Sequence, residues 1–147
     1  MSLTRGSVAV VGAAESDLGQ VAPNTSPVDL MAQATLRALE DCGLKLSDID
    51  GIFSAATQVR TAPMTLAEYF GIKPRYFDGT AIGGSSFMSH VAHAQAAIEH
   101  GLCDVALIAY GSTQRSVSRA AASPREFNYY ESPYRPCLLY TSPSPRD

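Results

Sequence analysis

The chain has 147 residues, 46% of them hydrophobic and 17% charged, which is enough apolar material for one globular domain with a real core. A net charge of −3, with no recurring run of Lys or Arg, argues against a nucleic-acid partner. The three cysteines, Cys42, Cys103 and Cys137, lack the paired spacing of a zinc site or a disulfide framework, so a reducing cytoplasmic setting and no metal are expected.

The first element is the run Val8-Ala-Val-Val-Gly-Ala, β-branched and closed by glycine, the pattern of a strand buried on both faces of a parallel sheet. Its apolar stretch is far shorter than the roughly 20 residues of a membrane helix and ends in Glu15, Ser16 and Asp17, so neither a membrane span nor a secretory leader is expected. A polar loop with Gly19 and Pro23 leads to Ser26-Pro27-Val28-Asp29, where an N-cap serine, a proline in the first turn and an early acidic residue mark a helix start. Met31, Ala34, Thr35, Ala38 and Leu39 recur at helical spacing, and Gly43 supplies the stop.

Ile49-Asp-Gly-Ile-Phe-Ser reads as a second strand, residues 63–70 as a short helix closed by Gly71, and Arg75-Tyr-Phe-Asp as a brief extended piece. The glycine-rich segment Gly79-Thr-Ala-Ile-Gly83-Gly84-Ser85-Ser86 then opens a long helix whose Phe87, Val91, Ala94 and Ile98 form a stripe ending at Gly101. Cys103-Asp-Val-Ala-Leu-Ile-Ala-Tyr is a last buried strand. Strands alternating with helices predict an α/β fold with a mainly parallel mixed sheet covered by helices. From about Ser112 the character changes. Residues 1–115 are expected to form the domain, 116–136 to begin a poorly ordered loop excursion, and 137–147, with two prolines and no periodicity, to be a non-native tail.

Two segments resemble the thiolase superfamily: Asp78-Gly-Thr-Ala-Ile-Gly-Gly-Ser-Ser-Phe with its Ala-rich helix, and Gly101-Leu-Cys-Asp-Val-Ala-Leu-Ile-Ala-Tyr-Gly-Ser-Thr-Gln-Arg. The likeness is to the lipid-transfer branch, the sterol-carrier-protein-x-like thiolases and thiolase-like aldolases. Val8-Ala-Val-Val-Gly-Ala, Asp41-Cys-Gly-Leu and Ser47-Asp-Ile-Asp-Gly-Ile match that branch's opening. The resemblance implies a layered, duplicated fold of which this chain is the N-terminal half, the second half being absent. It also implies an acyl-CoA substrate, coenzyme A entering only as part of that substrate with no covalently bound cofactor, and a homodimer or a complex with an acyl-CoA-binding partner.

Thiolases hold a nucleophilic Cys at the N-terminal end of the long helix, where backbone N–H groups and the helix dipole favour a thiolate. By resemblance that position falls on Gly84, with Ser85 next if the alignment slips by one. Glycine cannot be acylated, so the usual acyl-enzyme route is not supported. The expected activity of the intact protein is acyl transfer or carbon–carbon cleavage on acyl-CoA thioesters, with the fragment inactive alone. A non-catalytic acyl-CoA-binding or scaffolding paralogue is the alternative. The Gly84 and Ser85 backbone N–H groups are candidate carbonyl donors, and Gly83 and Ser86 candidate substrate contacts.

Other features have plainer readings. Ser85 and Ser86 suit helix capping better than nucleophilic catalysis, since no histidine is placed beside them. Gly79, Gly83 and Gly84 lack the lysine of a phosphate loop, and Val11-Gly12-Ala13-Ala14 is half a dinucleotide fingerprint. His90, His93 and His100 share a helix at steps of three and seven, a geometry open to metal but more in keeping with a solvated or interface face. Cys42 and Cys103 read as inert buried thiols. Arg115, Arg119, Arg125 and Arg135 could meet a coenzyme A phosphate but read by default as a scattered solvated loop.

Overall fold

The computed structural model describes residues 4–117. Helix α1, Pro27–Cys42, starts where the sequence places it: Ser26 and Asp29 form a reciprocal capping box, Pro27 occupies the first turn, and Gly43 ends the helix in the left-handed conformation at φ 74°. A single 3-10 turn, Leu46–Asp48, leads into strand β1, Gly51–Ser54. Helix α2, Ala62–Phe70, follows, then strand β2, Tyr76–Asp78, helix α3, Ser86–Glu99, and strand β3, Ala106–Ala109.

The three strands form one parallel sheet in the order β2-β1-β3. The middle strand is buried on both faces, as a parallel strand between helical layers must be. On one side Ile52 packs with Val28 and Met31 of α1 and Leu66 and Ala67 of α2. On the other, Phe53 packs with Ala94 and Ala97 of α3 and with Cys103. The result is a helix-sheet-helix layering, as the α/β reading expects.

Residues 8–13 correct that reading. They belong to no strand, and Val10 and Val11 are 84% and 62% exposed. The segment instead lies along α1: a Cβ on Gly12 would come 2.4 Å from the Ala38 carbonyl oxygen and 3.1 Å from the Cys42 sulfur. A narrow groove separates it from Val105, Ala106 and Leu107. No ladder bond crosses that groove among the described residues, so a strand-forming sequence lies beside β3 without pairing to it. A second correction concerns α3, whose buried face is Ser86, His90, Ala94 and Ala97, while Val91 is 46% exposed. The small residues and His90 face Phe53, rotating the helix away from the stripe that hydropathy alone selects. The expected excursion and tail fall almost wholly in residues 118–147, outside the described residues.

The sheet's entry end is tied by Asp50. Its carboxylate accepts from the backbone N–H groups of Asp104 and Val105, each at 2.8 Å, and from the Arg75 guanidinium. Its carbonyl oxygen accepts from the N–H groups of Arg75 and Tyr76, and its own N–H donates to Val105. Partial burial raises the carboxyl's pKa, but the Val105 N–H, Arg75 and the Asp104 N–H outweigh it and hold Asp50 below its ordinary 3.8. A depressed carboxyl stabilises the fold above its unfolded-chain pKa and loses that contribution as pH falls through the folded value. Asp50→Asn should therefore cost about 2 kcal/mol at neutral pH. Urea denaturation at several pH values should also show a flatter acid limb for this variant than for the wild-type chain.

Candidate functional site

The segment joining β2 to α3, with the first residue of that helix, holds Gly83, Gly84, Ser85 and Ser86, the site candidates that the resemblance gives. At its start, Asp78 folds it into a tight turn, accepting from the Thr80 N–H at 2.8 Å and the Thr80 hydroxyl at 2.7 Å. At its end, the Ser86 hydroxyl accepts from the Ile82 N–H at 2.9 Å and donates to the Gly83 carbonyl at 2.7 Å. Gly83 sits at φ 79°, a left-handed conformation that costs other residues about 1 kcal/mol or more. This crossing sits at the carboxyl end of a parallel sheet, where open α/β folds place their ligands.

The serines divide the work differently from the capping expectation. Ser85 stands at the N-cap but is itself helical, at φ −80° and ψ −5°, and its side chain makes no capping bond. Ser86 is 1% exposed, and its hydroxyl is engaged by the turn. Gly83, Gly84 and Ser85 are exposed, at the positive end of α3. A Cβ built on Gly84 would meet nothing within 4 Å, and its φ lies outside the left-handed region, so the fold does not itself demand glycine there.

The histidines separate. His90 is fully buried between the Phe53 and Phe87 rings, with centroids 6.2 and 5.7 Å away, and neither ring nitrogen has a hydrogen-bond partner. His93 pairs with Asp78, Nδ1 to Oδ2 at 2.5 Å, and exposed His100 bonds its own helix at the Ala96 carbonyl. They do not form the common solvated stripe that their spacing suggests. The Asp78–His93 pair is the group that sequence reasoning misses, because it depends on the docking of β2 against α3 rather than on spacing within either. Burial raises the pKa of Asp78, but the Thr80 hydroxyl and N–H and the bond to His93 outweigh it and leave the carboxyl below its usual range.

Cys103 is fully buried, and burial foremost, with Asp50 adding, pushes its thiol pKa up, away from a reactive thiolate. Cys42 is partly buried at the end of α1, its thiol directed to the Leu39 carbonyl. Arg115 is exposed, and Arg119, Arg125 and Arg135 lie outside the described residues.

No protein-family model matches the chain. Over 115 residues it is 30% identical to the 17-hydroxy-3-oxo-4-pregnene-20-carboxyl-CoA lyase of Mycobacterium tuberculosis (strain ATCC 25618 / H37Rv), a match covering 78% of this chain and 29% of the lyase. Among solved structures it is similar to a monomeric SCP2-thiolase like protein type 1 from Mycobacterium smegmatis. That match has a TM-score of 0.53 at 26% identity, over 67% of this chain and 22% of that one. The Ltp2-ChsH2(DUF35) aldolase aligns with a TM-score of 0.62 at 23% identity, over 86% of this chain and 33% of that one. Cerulenin-bound OleA of Xanthomonas campestri aligns at 0.58 and 18% identity, over 65% and 30%. The last two, at these identities, speak for the fold.

The turn's geometry separates its residues by stability. Ser86→Ala leaves the Ile82 N–H without its partner and should cost about 1–3 kcal/mol. Ser85→Ala, which removes no capping bond, should stay within about 0.5 kcal/mol of wild type. Gly83→Ala should destabilise by about 1 kcal/mol, and Gly84→Ala should be close to neutral. Chemical denaturation of the four variants checks this order.

Proposed function

We infer, from the premise that this chain is a thiolase-like α/β half, that the intact protein handles acyl-CoA thioesters without a covalent acyl-enzyme, as a carbon–carbon lyase or acyltransferase. The observation that carries the reading is Gly84. It occupies the position where the resemblance puts the thiolase nucleophile, at the positive end of α3, and it offers no side chain to attack. The similarity to a carboxyl-CoA lyase supports the lyase form. The chain spans 29% of that lyase's length, so residues beyond this half belong to the proposal.

In this reading the backbone N–H groups of Gly84 and Ser85 and the dipole of α3 polarise the thioester carbonyl. A base takes the proton of a hydroxyl β to that carbonyl, the carbon–carbon bond breaks to release a carbonyl product, and its electrons form an enolate opposite the same donors. Protonation of the enolate carbon then completes the cleavage. The clear space over Gly84 is where the carbonyl would approach. Ile82, Met88, Val91 and Tyr110, all exposed around the turn, offer an apolar surface for a second half, a second copy or a partner protein of the kind paired in the Ltp2-ChsH2 aldolase. Among the described residues no helix is long and apolar enough to cross a membrane. The unpaired thiols Cys42 and Cys103 suit a reducing cytoplasm.

Intact-protein mass spectrometry with acetyl-CoA tests the central point. The wild-type chain should carry no acetyl adduct. Gly84→Cys should gain one, mapped to residue 84, because the space is open and the helix end favours a thiolate. Gly84→Val should weaken acyl-CoA binding by filling the approach. An adduct on the wild-type chain that disappears in Ser85→Ala would replace this reading with a covalent serine route. Full-length protein that binds acyl-CoA but never cleaves it would leave the binding paralogue as the answer.

A further inference from the structure

We draw no further inference here: the strongest candidate, the narrow apolar groove between residues 8–13 and the edge of β3 away from β1, lined also by Ala38, Leu39 and Cys42 of α1, carries nothing, because nothing among the described residues shows what fills it.

Discussion

The fold depends on one carboxylate. Parallel strands begin at the same end of a sheet, so their entry ends bring unpaired N–H groups and loop polar atoms together where helices cannot cover them. Asp50, the residue before the middle strand, meets these demands from both sides. Its side chain satisfies the N–H groups of Asp104 and Val105 on the β3 side and draws in Arg75, while its carbonyl accepts from Arg75 and Tyr76 on the β2 side. With both neighbours anchored to one residue, the register that pairs Gly51 with Tyr76 and Ala106 is fixed at its origin. The carboxyl end of the sheet, where the turn and Gly84 lie, is set by that register.

Much of this architecture is legible in the sequence because its signals are local. Ser26, Pro27 and Asp29 specify the start of α1 within four residues, and Gly43 and Gly71 mark helix ends through a conformation that glycine adopts without strain. The buried run through Ile52 and Phe53 announces a two-sided strand. Residues 8–13 carry the same kind of signal, yet a strand is defined by its ladder, and the sequence of a segment does not reveal whether that ladder forms. The roles of Asp50, Asp78 and Ser86 were hidden for a related reason. Each is decided by hydrogen bonds to residues brought close by packing or by turn geometry, and a polar side chain in a list of residues does not say which N–H it will meet.

His90 shows where hydropathy misleads. A helix over a sheet should bury its most apolar face, and the stripe of Phe87, Val91, Ala94 and Ile98 fits that rule. Packing followed shape instead: Ala94 and Ala97 let α3 approach Phe53 closely, and His90 went in with them. An imidazole carries at least one N–H in any state, so burying His90 without a hydrogen-bond partner opposes folding by about 1–3 kcal/mol. The flanking Phe53 and Phe87 rings return part of that through aromatic contact. The rotation also leaves Met88 and Val91 exposed, so one packing choice accounts for both the buried histidine and the apolar outer face beside the turn.

The glycine at residue 84 acquires meaning from the same geometry. Glycine is often retained because a side chain would clash or because the backbone is left-handed, and here Gly83 meets the second condition while Gly84 meets neither. A Cβ at residue 84 would meet nothing within 4 Å, so the fold described here does not itself demand glycine there. What remains is the helix end, a polarising field with open space before it. Such a field can bind a thioester carbonyl and stabilise charge that develops on it, but it cannot form a bond. Chemistry at this turn must therefore draw its proton transfers from groups elsewhere.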